Sequence, residues 1–188
     1  MKQEFNFIID ENAYISIFVP NFPLKVNPYQ KPGKKLQKFD VATIYYVTRS
    51  KKRMILEEDG LIDVVEFLQE ALKKALANNL PLPDALEKGN VGIGLNKMLQ
   101  RKNNINLRPF WIWSFNDVET LIYNADNKIY LEIAPTCPDI FADKSAKIIN
   151  MLFQKFIKTY KPYLVSTISR QRAQKWLAQC EEIVKIIT

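Results

Sequence analysis

Thr120-Leu121-Ile122-Tyr123 and Ile129-Tyr130-Leu131-Glu132-Ile133-Ala134 form two β-rich runs around the four-residue turn Ala125-Asp126-Asn127-Lys128. Asp and Asn tolerate the left-handed backbone of a tight hairpin, so the stretch predicts antiparallel pairing, with Pro135 ending the second strand. Upstream, Pro109-Phe110-Trp111-Ile112-Trp113-Ser114-Phe115 predicts another strand. Strict alternation puts Trp111, Trp113 and Phe115 on one face and Phe110 and Ile112 on the other. Two apolar faces fit a central strand between helices and a second layer, whereas one exposed aromatic face would fit a partner.

Downstream, Lys144 to Tyr160 has helical spacing, with Ile148, Ile149, Leu152, Phe153, Phe156 and Tyr160 expected inward. Tyr163 to Ile168 predicts a short strand, and Ser169 suits the N-cap of a last helix. That helix carries the stripe Ala173, Trp176, Leu177, Cys180, Ile183, Val184 and Ile187. Near the N-terminus, Phe5–Ile9 and Tyr14–Val19 predict a hairpin, Asp40–Arg49 a third strand and Met54–Leu56 its antiparallel return. Leu61, Val64, Val65, Leu68, Leu72, Ala75 and Leu76 then mark a helix. Glu57, Glu58 and Asp59 are expected at its N-terminal end, where the helix dipole favours acids.

The pattern predicts an α+β fold: a mostly antiparallel sheet with about three main helices packed on it. The 188 residues suit one domain over 1–188, with a Pro/Lys-rich loop or arm at 20–38 and an irregular excursion at 78–108. No internal repeat is visible. In the excursion, Asp84–Lys88 suggests one helical turn, and Leu95, Met98 and Leu99 a short helix. Val91-Gly92-Ile93-Gly94 is not a dinucleotide loop, because Lys97 stands where the third glycine belongs.

The chain has no histidine, which removes Ser-His-Asp and Cys-His catalysis and His-ligated metals. Cys137 and Cys180 lack C-x-x-C spacing and are expected as reduced thiols in a cytoplasmic protein. The N-terminus lacks a signal-peptide core, and no run approaches the ~20 apolar residues of a spanning helix. Asp117 with Asp126-Asn127-Lys128 matches a metal-nuclease pattern only loosely, and Asp139 with Asp143 is better explained by helix-start chemistry. No catalytic, cofactor-binding or metal-binding residue is assigned.

Charge is segregated. Net charge is +7, from 27 Lys+Arg against 20 Asp+Glu, and the bases concentrate in segments 25–53 and 144–175. Such polarity steers acidic partners. Tyr29, Lys31, Lys34, Lys35, Arg49, Lys51, Lys52 and Arg53 form the expected contact surface. The leading expectation is a non-enzymatic protein-binding module, monomeric or homodimeric, whose partner is acidic at the contact. A nucleic-acid binder using the same two segments is the first alternative. A hydrolase is the second, and it would need perturbed carboxylates such as Asp117 or Glu132 facing a cavity.

Trp111-Ile112-Trp113-Ser114, Tyr123 to Ile129, Glu132-Ile133-Ala134-Pro135, Lys161-Pro162-Tyr163 and the final helix with Ala173, Trp176 and Leu177 also carry a resemblance. Over residues 110–188 the chain resembles small uncharacterised bacterial proteins of the toxin-immunity type. The resemblance implies neutralisation of a toxin by binding it. Its motifs are structural, so it transfers no site residue. Immunity proteins against basic nuclease toxins are usually acidic, whereas this chain is basic, so the resemblance implies a target that is acidic or that binds through the acidic surface.

Overall fold

The computed structural model describes residues 3–20, 36, 40–84, 86–100, 108–115, 117–137 and 146–187. The chain is α+β, with every named strand pair antiparallel. The strands divide between two four-stranded meanders rather than forming a single sheet. The first contains β1 (Gln3–Ile8), β2 (Ala13–Val19), β3 (Val41–Thr48) and β4 (Lys52–Gly60), and leads into α1 (Leu61–Leu76). After α2 (Val91–Gln100), the second contains β5 (Trp111–Phe115), β6 (Val118–Ala125), β7 (Lys128–Pro135) and β8 (Leu164–Ile168). Helix α3 (Ala146–Thr159) is inserted before β8, and α4 (Arg170–Ile186) follows it. Four strands and a helix thus occur twice. No sequence repeat announces this, because many residue sets satisfy the same alternating burial.

The β6–β7 hairpin closes through Asp126 and Asn127, whose φ values of 49° and 60° place both in the left-handed region. This is the geometry of a two-residue primed turn, and short polar side chains tolerate it. Strand β4 outruns its expected length: Ala42 pairs with Asp59 and Val41 with Gly60. Glu57, Glu58 and Asp59 therefore belong to a strand, and Asp63 alone is acidic in the first turn of α1. Pairing to β3 outweighs the attraction of the helix terminus.

The tryptophans do not share a face. Trp111 pairs with Leu121 but Trp113 with Thr120, so a register shift at Ile112 turns the two indoles to opposite sides. Strand β5 is also an edge of its sheet, next to β4 of the other meander. Trp113 is buried against α1 and donates Nε1–H to the Val64 carbonyl at 3.2 Å.

One apolar cluster unites residues of both sheets with α1 and α4. Ser169 caps α4, its Oγ accepting from Arg172 N–H at 3.2 Å. Helix α4 reaches the outer edge of β1: Trp176 Nε1 donates to Ile8 O at 3.2 Å and Gln179 Nε2 to Asn6 O at 3.3 Å. Arg172 donates to Ile9 O and Arg170 to Leu76 O, so two bases of the 144–175 segment satisfy backbone carbonyls. Cys180 is buried in this cluster, where desolvation pushes its thiol up to about 12. Cys137 lies in a separate group with Phe153 and Phe156, and the two cysteines are not joined in a disulfide. Helix α3 packs through Phe153 and Phe156, which leaves Ile148, expected inward, 43% exposed. No helix among the described residues is long and apolar enough to cross a membrane.

Asn124 ties the second sheet to the end of α1. Its Oδ1 accepts from Leu80 N–H at 3.2 Å and its Nδ2 donates to Ala75 O at 2.9 Å. Replacement by Ala strands buried polar groups at both contacts. Asn124→Ala is expected to lower unfolding free energy by about 2–3 kcal/mol, measured by urea denaturation.

Candidate functional site

The β3–β4 hairpin ends in a tightly bonded tip. Thr48 N–H donates to Lys51 O at 2.7 Å, while Thr48 Oγ1 accepts from Lys51 N–H at 3.0 Å. This tip overhangs one end of the second sheet and forms one wall of a cleft of about 650 Å³. Tyr46, Thr48, Lys51 and Arg53 come from the hairpin. Asp117, Pro135 and Thr136 come from the end of the sheet, where Thr136 N–H donates to Asp117 O at 2.8 Å. The last turn of α3 and the link Lys161-Pro162-Tyr163 complete the lining. Pro162 stops the helix and holds the link extended. Tyr163 N–H then donates to Ile133 O at 2.7 Å.

Three cations, Lys51, Arg53 and Lys161, face one carboxylate, Asp117, around this cleft. The Arg53 guanidinium lies over the Tyr163 ring, 3.7 Å from its centroid. Stacking fixes the planar group while leaving its edge free to hydrogen-bond. Lys52 points elsewhere, its ammonium 3.9 Å from the Tyr45 centroid and 5.8 Å from that of Phe18. The expected contact set is therefore divided. Lys51 and Arg53 meet in the cleft, Lys52 stacks outside it, and Arg49 is exposed at the hairpin end. Tyr29, Lys31, Lys34 and Lys35 lie outside the described residues. Lys161 enters the site from the second basic segment.

Behind the cleft lies a buried acid pair. Glu119 on β6 and Glu132 on β7 are 1% and 0% exposed. Glu119 pairs with Ala134, and Glu132 with Leu121, which places the carboxyls as diagonal neighbours on one sheet face. Glu132 accepts from Tyr123 Oη at 3.0 Å, Tyr160 Oη at 3.0 Å and Gly92 N–H at 3.2 Å. Glu119 accepts from Trp111 Nε1–H at 3.3 Å, and its Oε1 has no partner. Asn96 fastens α2 over the pair, donating to Gly92 O at 2.6 Å and accepting from Cys137 N–H at 2.9 Å. The register shift of β5 is what turns Trp111 toward Glu119.

Burial raises both carboxyls, and the neighbouring Glu132 charge adds to the effect on Glu119, which is pushed up to about 8. Glu119 thus keeps its proton at neutral pH. Glu132, with three donors, is the better place for the charge. The Tyr160 hydroxyl is held far above its ordinary range, first by burial and then by the Glu132 carboxylate. Tyr160 belongs to both layers: its ring lines the cleft and its hydroxyl bonds Glu132.

Of the carboxylates expected in a hydrolase cavity, Asp117 lines the cleft and Glu132 lies sealed behind Tyr160. Asp117 and Asp126, the loose nuclease pair, sit beyond opposite ends of β6, and Asp126 is ion-paired with Lys88. Asp139 and Asp143 lie outside the described residues. No group of three or more His, Cys, Asp or Glu among the described residues is placed to hold a metal ion. Glu119 was missed because an acid within an apolar strand looks like an exposed alternation. The chain matches no protein-family model, and neither a curated protein nor a solved structure matches it.

Two outcomes follow from the acid pair. A Cβ on Gly92 would lie 2.5 Å from Tyr160 Oη and 2.6 Å from Glu119 Oε1. Gly92→Ala, which ordinarily favours a helix, is therefore expected to destabilise by about 1–3 kcal/mol in urea unfolding. Glu119 has a folded value above its ordinary 4.5, so its stabilising contribution is complete below that pH and is lost as pH rises toward about 8. Over that window wild-type stability should decline by a few kcal/mol at most, and Glu119→Gln should flatten the decline.

Proposed function

We propose that the protein is a non-enzymatic binding module that holds an acidic segment of a partner protein in the Lys51–Arg53–Lys161 cleft. On the resemblance of its C-terminal half, it acts as an immunity-type inhibitor, blocking its partner by occupancy. The observation carrying this reading is the convergence of three cations and three tyrosines on one concavity, with Arg53 stacked on Tyr163. Stacked guanidinium and tyrosine rings are rigid anchors that lose little conformational freedom on binding. The excess of basic residues in the sequence speeds the approach of an acidic surface.

Several features favour a protein over nucleic acid as occupant. The cleft is compact and has the apolar walls Pro135, Phe156 and Pro162. A phosphate backbone, charged at every nucleotide, needs a longer cationic track. Arg170 and Arg172, the bases that would extend such a track, are bonded to backbone carbonyls.

The test uses a fluorescent Glu/Tyr copolymer and anisotropy at physiological salt. Lys51→Glu with Lys161→Glu should weaken binding by about tenfold or more, while Lys52→Glu should change it by about twofold or less. Equal losses would show general charge attraction and defeat the cleft reading. Tighter capture of a single-stranded oligonucleotide, with steep salt dependence, would favour the nucleic-acid reading instead.

A further inference from the structure

A meander has two outer edges, so the two sheets present four: β1, β4, β5 and β8. Strands β4 and β5 abut one another across the sheet junction. The outer edge of β1 is occupied by Trp176, Gln179 and Arg172, which donate to its carbonyls and to Ile9 O just beyond it. Strand β8, Leu164-Val165-Ser166-Thr167-Ile168, pairs on one side with β7 and, among the described residues, has no strand on the other. Open edges are ordinarily protected by lysine, proline or a bulge. This one contains no charge, no proline and no glycine, and three of its five residues are β-branched. Val165 is 41% exposed. Its side chains favour pairing, and no hydrogen bond among the described residues occupies its outer main-chain groups.

The charges around β8 determine what fits. Lys161 is exposed three residues before the strand, and Arg53 lies over Tyr163, which adjoins Leu164. Arg170 and Arg172 follow its other end. A second copy, pairing antiparallel about Ser166, would bring the Lys161 end of each strand against the Arg170 end of its neighbour. Like charges would meet twice. An acidic occupant meets the opposite sign.

We infer that β8 receives an extended segment of the acidic partner as an added antiparallel strand. Antiparallel addition sends the residues after that segment's paired stretch past Leu164 toward the cleft. Those residues are Asp or Glu, and they meet Lys161, Arg53 and Lys51. The paired stretch itself is β-branched. This rests on the cleft reading: the edge supplies main-chain pairing, and the cleft supplies the preference for acid at one end.

The test needs only the wild-type chain and three synthetic peptides. The parent has five alternating Val and Thr residues followed by three Glu. The second has Gln in place of Glu, and the third is N-methylated at alternate Val/Thr positions. The parent should bind and slow amide exchange across Leu164–Ile168. Each altered peptide should bind about tenfold more weakly or worse, from lost charge pairing or lost main-chain hydrogen bonds. Equal binding of the Gln peptide overturns the cleft reading on which the inference rests. Equal binding of the N-methylated peptide overturns strand addition and leaves the cleft intact. No slowing at β8 with the parent, or a free chain that is already a dimer protected there, also overturns it.

Discussion

The Glu132 carboxylate is the point on which the second half of the molecule depends. It lies within the sheet yet accepts from Tyr123 on β6, from the α3–β8 link at Tyr160 and from the first turn of α2 at Gly92. Three elements distant in sequence thereby converge on two oxygens. A buried carboxylate is costly unless its lone pairs are satisfied, so these donors cannot move apart independently. The neutral Glu119 beside it avoids a second buried charge. Polar groups that demand complete partnering specify an arrangement more narrowly than apolar contact alone.

This arrangement bears on the surface because Tyr160 belongs to both regions. Its hydroxyl is committed to Glu132, so its ring presents a fixed wall to the cleft. The opposite wall is fixed differently, by the Thr48–Lys51 bonds at the hairpin tip and by Arg53 stacked on Tyr163. The Arg53 guanidinium is thus held in place at the cleft, while the Lys51 and Lys161 side chains stay exposed.

Elements with strong local signals were legible in the sequence. The Asp126–Asn127 turn, the stripes of α1 and α4 and the Ser169 cap follow from short-range chemistry, and the α+β class follows from their order. Features set by distant pairing were not. The continuation of β4 through Glu57–Asp59 depends on β3, and the opposite facing of Trp111 and Trp113 depends on a register shift against β6. The division into two sheets depends on which strands fail to pair. At the candidate site, Lys51 and Arg53 stood out as bases on a predicted turn. Lys161 joined them only through folding, and Glu119 carried no local sign of its burial.

The sealing of β1 by α4 has a consequence for biogenesis. Residues 3–8 leave the ribosome long before residues 170–186, whose side chains occupy the outer carbonyls of that strand. During synthesis the first sheet therefore waits with an unprotected flank, vulnerable to association with neighbouring nascent chains. Closure between the two extremities of the fold is a late, long-loop event, and such events are intrinsically slow. A chaperone that shields the nascent N-terminal meander would guard the interval in which the polypeptide is most exposed to misassembly.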